Sequence, residues 1–311
     1  KLIMLANFFG KSKPVNFILI SVLFLLYVIL DFVTDVNFEF SLSYFSGTFL
    51  SFPLCLVLFF LYNFVVSKNK LTRDNSYAFL LFVIGLGFLK TAFIAYNTVL
   101  EYLLLFLLLR RVYSLRTLKS VYQKLFDGGL WLGVLFLISP AYLLYLVPFY
   151  LAIFLFAKIT IRTVLIPVLG LITPLLLYFT YLFWNDDLVT FYQLFDVVFL
   201  VDISFYLTNY YGIFLSLFTV FTLIAIVVRT SKILSVSNKF KRSWVLLLSH
   251  FVIAIVFVFF VENKNGTELI TLLIPTSIII ANWIQFVERK QIINIVLVTF
   301  LLLSFAIHFI V

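Results

Sequence analysis

Charged residues, cysteine and histidine are all scarce in this chain, and each scarcity excludes a class of protein or site. Only 11% of its 311 residues are charged, whereas a soluble domain carries about 25%, so lipid must replace water as the solvent for most of the chain. Because Cys55 is the sole cysteine, an intrachain disulfide and a Cys-x-x-Cys metal site are excluded. The two histidines, His250 and His308, lie in separate apolar stretches. We therefore expect them to form hydrogen bonds between helices, and we expect neither a metal nor a cofactor.

Signatures of common soluble enzymes are missing as well. The chain contains no His-Glu-x-x-His, no Gly-x-Ser-x-Gly and no Rossmann glycine pattern. Gly10-Lys11-Ser12 looks like the tail of a phosphate-binding loop, but Leu5 occupies the position of the upstream glycine that such a loop needs. The net charge of +9 would suggest nucleic acid in a soluble protein. Here the excess is expected from basic loops that orient membrane helices, so no nucleic-acid partner is predicted.

What is present is a regular alternation of long apolar runs and short basic clusters. Hydrophobic residues make up 64% of the chain, and 20 of the 22 Lys and Arg residues fall in six clusters. Basic loops stay on the cytoplasmic side of a membrane, so the chain must cross it an even number of times between clusters. Nine of the 13 acidic residues fall midway between clusters, where outer loops are expected. The clusters are Lys1, Lys11 and Lys13; Lys68, Lys70 and Arg73; Arg110, Arg111, Arg116, Lys119 and Lys124; Lys158 and Arg162; Arg229, Lys232, Lys239, Lys241 and Arg242; and Arg289 and Lys290.

This pattern predicts an all-α polytopic integral membrane protein. We expect about 11 transmembrane helices, within a range of about 9–12, a cytoplasmic N-terminus and a periplasmic C-terminus. Residues 1–311 are predicted to form a single transmembrane domain. A basic amphipathic segment at about 110–127 should lie on the cytoplasmic surface, and another amphipathic segment at about 185–208 on the periplasmic surface. The predicted spans are 14–30, 46–66, 77–89, 95–110, 128–138, 141–157, 163–184, 209–228, 244–261, 268–286 and 292–310.

Two apolar stretches are short for the two crossings that their flanking basic clusters require. Residues 77–111 and 128–157 should each form a hairpin, although two full crossings need about 40 apolar residues. We expect the hairpin tips, near Lys90–Tyr96 and at Ser139–Pro140, to stop below the outer surface, where protein or water must cover the backbone. The sequence therefore predicts an outward-facing depression above the hairpins, with a locally thinned bilayer as the alternative.

Ionisable residues within or beside the apolar runs are the candidate site residues, because a charge inside a span costs about 2.5–3.5 kcal/mol. Glu101 falls in the fourth span and Lys90 at the tip of the same hairpin. They are predicted to form a structural ion pair, or else Lys90 contacts a lipid phosphate. The first outer loop, residues 31–39, contains three carboxylates. Asp35 is the preferred candidate for a general base there, with a solvated loop as the alternative interpretation.

Two stretches carry a resemblance to a known family. They read Asn-Lys-Leu-Thr-Arg-Asp-Asn-Ser-Tyr-Ala at 69–78 and Leu-Arg-Arg-Val-Tyr-Ser-Leu-Arg at 109–116, the latter followed by Leu-Phe-Asp-Gly-Gly-Leu at 125–130. The chain resembles an uncharacterised polytopic inner-membrane protein family of Bacteroidota, whose layout is similar to GT-C-type membrane glycosyltransferases. That resemblance implies a polyprenyl-phosphate sugar donor at the outer face. It also implies Asp35 or Asp31 as the base and Lys90 as a phosphate contact.

Three functions stay open at this point. The first is a GT-C-like transferase, or a degenerate relative that binds a lipid-linked sugar. The second is a non-catalytic subunit or scaffold of an envelope-associated complex, favoured by the scarcity of polar machinery and the large helix surface. The third is a transporter or flippase, for which Glu101 and scattered Ser, Thr and Asn are the available polar residues. Expected partners are membrane lipids, with a polyprenyl-phosphate lipid or other membrane proteins of a complex as further candidates.

Overall fold

Helices form every regular element in the part of the chain that the computed structural model describes. That part comprises residues 5–34, 42–90, 95–196, 204–208, 211–233, 238–261 and 264–310, and it contains no strand. The 3-10 helices Leu115–Thr117 and Pro140–Tyr145 accompany the α-helices. The α-helices are α1 Leu5–Phe8, α2 Pro14–Thr34, α3 Leu42–Lys68, α4 Tyr77–Phe88, α5 Tyr96–Ser114, α6 Val121–Ile138, α7 Leu146–Phe156, α8 Ile161–Trp184, α9 Leu188–Gln193, α10 Ser204–Thr208, α11 Tyr211–Ile233, α12 Asn238–Phe260, α13 Leu269–Ile284 and α14 Lys290–Ile310.

Seven of these helices are long and apolar enough to cross a membrane, which confirms the prediction of an all-α architecture and is compatible with a multi-pass membrane protein. Three shorter apolar helical segments, 77–88, 140–156 and 269–284, accompany them. Each of the eleven predicted spans overlaps one of the helices. The seven long spans lie in α2, α3, α6, α8, α11, α12 and α14.

The segment predicted to be amphipathic at 110–127 is divided among three elements. It includes the end of α5, the 3-10 helix Leu115–Thr117 and the start of α6, which begins at Val121 rather than at 128. A salt bridge of 2.7 Å between Arg111 and Asp127 joins the end of α5 to α6. The basic residues of this segment therefore lie on the end of α5, on the 3-10 helix, between that helix and α6, and on the start of α6.

The segment predicted at 185–208 is divided as well. It contains the short helices α9 and α10, and residues 197–203 between them lie outside the described ranges. Asp187 caps the start of α9, because its carboxylate accepts a hydrogen bond from the backbone N–H of Thr190.

The chain folds into two compact units, each assembled from separate stretches of sequence. Unit 1 comprises Lys1–Val99, Ile203–Val236 and Lys264–Val311, and unit 2 comprises Leu100–Asp202 and Ser237–Asn263. The single transmembrane domain predicted over 1–311 stays a prediction, and hydropathy alone carries no signal for which helices pack together within each unit.

In unit 1, side-chain contacts show that α2, α4 and α14 run in the same direction. Phe17 stacks on Phe79 with ring centroids 5.3 Å apart, and further along both helices Tyr27 lies against Gly87. Helix α14 runs alongside the first 31 residues in the same direction, because residue numbers rise together in their contacts. These contacts are Asn7–Lys290, Tyr27–Ser304 and Asp31–His308.

Helices α11 and α13 of unit 1 run in the opposite direction. Leu273 near the start of α13 lies against Gly85 near the end of α4, whereas Asn282 near the end of α13 donates a hydrogen bond to the Leu71 carbonyl, before α4 begins. Helix α11 is parallel to α13, because residue numbers rise together in their contacts. Phe221 contacts Trp283 near the end of α13, and Arg229 contacts Phe286 in the turn that follows α13.

These directions bring residues of four of the six basic clusters to one end of unit 1, which we call the basic end. At the other end, called the opposite end below, α2 and α4 finish and α13 begins, so Asp31, Lys90 and Glu268 lie there. The residues at the basic end are Lys11, Lys13, Lys68, Lys70, Arg73, Arg229, Lys232, Arg289 and Lys290.

Unit 2 is organised around a close parallel contact of α6 with α8. A Cβ atom added at Gly129 would lie 2.1 Å from the Pro167 carbonyl oxygen, and one added at Gly133 would lie 2.4 Å from the Leu171 carbonyl oxygen. The two backbones therefore touch, as small residues allow between membrane helices. Both contacts move four residues towards the C-terminal end of each helix, so the two helices are parallel. Their first turns, which contain Lys124 and Arg162, therefore lie at the same end.

Candidate functional site

Asp31 and His308 form a buried contact at the opposite end of unit 1. The Asp31 side chain is 6% exposed, and its Oδ1 lies 3.2 Å from Nε2 of His308. The distance is that of an ion pair, although the angle at Nε2 falls short of hydrogen-bond geometry. Tyr27 stacks on the imidazole with centroids 5.6 Å apart and hydrogen-bonds to the Ser304 hydroxyl at 2.6 Å. The imidazole beside the carboxylate is thus itself packed against Tyr27.

The position of one proton in this cluster follows from its partners. Nδ1 of His308 lies 2.9 Å from the Ser304 carbonyl oxygen, which only accepts, so Nδ1 carries a hydrogen. The contact with Asp31 then has two forms, imidazolium with carboxylate or neutral imidazole with carboxylic acid. Both forms have zero net charge, so neither leaves a net charge buried at this contact.

The structure places Asp31 in a helix, whereas the sequence predicted it to begin the first outer loop. Helix α2 continues to Thr34, and Asp31 is tolerated within it because His308 compensates its charge. Asp35, the preferred general base, lies outside the described residues and stays a prediction.

Unit 2 contains a second group of buried polar contacts, formed by α5, the 3-10 helix Pro140–Tyr145 and α12. The Tyr142 hydroxyl donates a hydrogen bond of 2.5 Å to Oε1 of Glu101. The Tyr113 hydroxyl lies 2.9 Å from Nδ1 of His250. The Tyr145 hydroxyl lies 3.5 Å from Nε2 of the same ring. Because a hydroxyl both donates and accepts, either tautomer of neutral His250 satisfies both ring nitrogens.

These contacts extend along most of α5. Glu101 lies near the start of α5 and Tyr113 near its end, and twelve residues of α-helix rise about 18 Å. The rings of Tyr142 and Tyr145, with centroids 6.0 Å apart, join the carboxylate to the histidine. Ionisable residues inside apolar helices mark proton or substrate pathways in many membrane proteins. We call this row, from Glu101 to Tyr113, the tyrosine–histidine chain.

The predicted pair of Lys90 and Glu101 stays a prediction. Lys90 belongs to unit 1, where it follows α4 in a left-handed backbone conformation with φ of 52°, and its side chain is half-buried. Glu101 belongs to unit 2, where Tyr142 contacts it. The tyrosine partner carried no sequence signal, because Tyr142 lies in an apolar run that contains other aromatic residues.

A third polar cluster at the opposite end of unit 1 was missed by sequence reasoning. Glu268 is buried and accepts hydrogen bonds from the Tyr206 hydroxyl at 2.5 Å and from the backbone N–H groups of Asn265 and Gly266 at 3.3 and 3.2 Å. Burial, and then the adjacent carboxylate, raise the pKa of Tyr206 far above its usual value. Tyr206 therefore remains a donor, and the cluster holds the turn that precedes α13.

No group of three or more His, Cys, Asp and Glu side chains is arranged to hold a metal ion within the described ranges. Comparison of the chain with protein-family models, with curated proteins and with solved structures found no match. Any functional interpretation therefore depends on the geometry of the chain itself.

Proposed function

We propose that this protein crosses the bacterial inner membrane eleven times, with its N-terminus in the cytoplasm, and transfers a sugar from a polyprenyl-phosphate donor at the periplasmic face. The proposal extends the resemblance to GT-C-type glycosyltransferases. The observation that supports it best is the Asp31–His308 contact at the end of unit 1 opposite the four basic clusters. Since basic loops stay in the cytoplasm, the opposite end faces the periplasm in this proposal.

The reaction assigns a role to each candidate residue. The bond between the sugar C1 and the donor phosphate breaks, a bond from C1 to the acceptor hydroxyl oxygen forms, and polyprenyl phosphate leaves. The Asp31 carboxylate accepts the proton of the acceptor hydroxyl, and His308 orients that carboxylate. Asp35 is the alternative base, and Lys90 contacts the donor phosphate in this proposal.

Transfer in membrane vesicles tests this assignment. Vesicles that contain the protein would receive a polyprenyl-phosphate donor with a radiolabelled sugar, and labelled product would be counted. We expect Asp31→Asn or Asp35→Asn to reduce transfer by about 100-fold or more at unchanged protein abundance. The matched control is Asp74→Asn, an exposed acid at the basic end. Absence of transfer by the unmodified protein with any polyprenyl-phosphate sugar, or equal transfer by all three variants, would show that the proposal is wrong.

A transporter or flippase is the second candidate, and the tyrosine–histidine chain of unit 2 favours it. Ionisable and hydroxyl side chains along about 18 Å of helix favour it, because such groups inside apolar helices mark proton or substrate pathways. We would test it with a single cysteine introduced near Glu101, as Thr98→Cys in a Cys55→Ser background. Labelling from both sides of the membrane would support transport, and labelling from one side alone would contradict it.

A non-catalytic subunit or scaffold of an envelope-associated complex is the remaining candidate. It is supported by the exposed apolar side of α8, where Leu169, Leu176 and Leu177 are 58%, 58% and 70% exposed. Stoichiometric co-purification of another membrane protein in mild detergent would support this function. A monodisperse particle that contains this protein alone would contradict it.

A further inference from the structure

A pocket of about 390 Å³ lies at the basic end of unit 1, between α11 and the turn that joins α13 to α14. Three cationic side chains line it, those of Arg229, Lys232 and Arg289, against one acidic side chain, Glu288. The lining therefore carries a net charge of three minus one, or +2, in a partly enclosed space. Such an excess of positive charge attracts an anion.

An aromatic ring holds two cations beside this pocket. Cζ of Arg229 lies 3.6 Å from the centroid of the Phe286 ring, and Cζ of Arg73 lies 4.1 Å from the same centroid. Two guanidinium groups cannot share one face at these distances, so they lie on opposite faces of the ring. Arg229 is only 4% exposed. Cation–π contact offsets part of the cost of gathering these like charges, and an anion in the pocket would offset more.

The rim of the pocket is apolar and faces the surroundings of the protein. Val228 on α11 and Ile292 on α14 both line the pocket, and they are 38% and 40% exposed. Trp283, half-buried at the end of α13, also lines it. Tryptophan favours the boundary between lipid and water, so the cations lie at the depth of lipid headgroups. A ligand here would meet cations at one end and apolar side chains at the other.

We propose that this pocket binds the phosphate of an anionic phospholipid, whose acyl chains follow Val228 and Ile292. A guanidinium group binds two phosphate oxygens at once, and Lys232 adds a point charge. Basic pockets between membrane helices are known to bind anionic headgroups on the cytoplasmic side. The proposal is independent of the transferase proposal, because Asp31 and His308 lie at the opposite end of unit 1.

Lipid binding by the purified protein in detergent tests this pocket. Native mass spectrometry would give the dissociation constants for phosphatidylglycerol and phosphatidylcholine. We expect the double variant Lys232→Gln/Arg289→Gln to weaken phosphatidylglycerol binding by about tenfold or more and to leave phosphatidylcholine binding unchanged. Both residues are exposed, so the fold should tolerate the change. The matched control is Lys68→Gln/Lys70→Gln, which removes the same charge from exposed residues that do not line the pocket.

The outcomes separate a built pocket from general surface charge. Weakening by the pocket variant alone supports the proposal. Equal weakening by both double variants, or none by either, overturns it. In a further arm, inorganic phosphate would compete with phosphatidylglycerol for the protein. If inorganic phosphate binds as tightly as the phospholipid, the acyl chains contribute nothing and the assignment to a lipid is overturned. Thermal unfolding in lipid-free detergent should be the same for both double variants.

Discussion

Unit 1 and unit 2 each bury one histidine among apolar helices, but they surround it differently. His308 in unit 1 contacts the Asp31 carboxylate at 3.2 Å and a backbone carbonyl at 2.9 Å. His250 in unit 2 contacts the hydroxyls of Tyr113 and Tyr145. The first arrangement holds two groups that can both be charged, whereas the second satisfies a neutral ring with neutral partners. The two units therefore should respond differently to the loss of the same side chain.

Removal of each histidine should give the largest difference. His308→Leu leaves the Asp31 carboxylate buried without its compensating imidazole, so we expect a loss of about 3–5 kcal/mol in the free energy of unfolding. His250→Leu removes hydrogen bonds between neutral groups, so we expect about 1–3 kcal/mol. Unfolding of the purified variants in mixed detergent micelles would measure both losses. The double variant Asp31→Leu/His308→Leu should recover much of the first loss, and equal losses for the two single variants would contradict the comparison.

The tyrosine partners sharpen the same comparison. Tyr142→Phe removes the hydroxyl that donates to Glu101, and we expect a cost of about 1.5–3 kcal/mol, because a carboxylate loses a donor. Tyr27→Phe removes the hydrogen bond to the Ser304 hydroxyl in unit 1, and we expect about 0.5–1.5 kcal/mol. The same unfolding measurement ranks the two variants. A larger cost for Tyr27→Phe would mean that Glu101 does not depend on Tyr142.

Helix packing differs between the units as well, and two glycines test it. A Cβ at Gly129 in unit 2 would meet a backbone oxygen of α8, whereas one at Gly85 in unit 1 would meet the flexible end of Leu273. We expect Gly129→Ala to cost about 1–3 kcal/mol, because α8 must move away. For Gly85→Ala we expect a change within about 1 kcal/mol, since Leu273 can adjust and alanine favours helix. Similar thermal stability of both variants would contradict the backbone contact.

The remaining comparison is a pH dependence at the opposite end of unit 1. The raised pKa of Tyr206 means that the folded protein keeps this hydroxyl protonated above the ordinary tyrosine value of 10.0. Its contribution to stability is therefore complete below that pH and is lost as the pH rises further. We expect Tyr206→Phe to be less stable than the unmodified protein at neutral pH by about 1.5–3 kcal/mol. The difference should shrink above about pH 10. Thermal unfolding across this range would test it, and a constant difference would contradict it.

Hydropathy and charge, which the sequence displays directly, determined the class of the protein. Each of the eleven predicted spans overlaps a helix, because an apolar segment excluded from water must satisfy its backbone hydrogen bonds internally. The clustering of basic residues also predicted that they share a compartment, and in unit 1 described residues of four clusters lie at one end. Both properties are local to a stretch of chain, so they can be read without knowing what that stretch contacts.

Only the tertiary structure decided which polar residues meet. Asp31 lies next to His308 and Glu101 next to Tyr142 because helices distant in the sequence pack together. The end of α2 shows the consequence, since hydropathy placed the boundary at residue 30 and a partner on α14 allows the helix to continue to Thr34. Phe286 is a further example, because it contacts Arg73 from the loop before α4 and Arg229 from α11. A buried charge is acceptable only beside its partner, and the identity of that partner is a property of the packed helices rather than of any one segment.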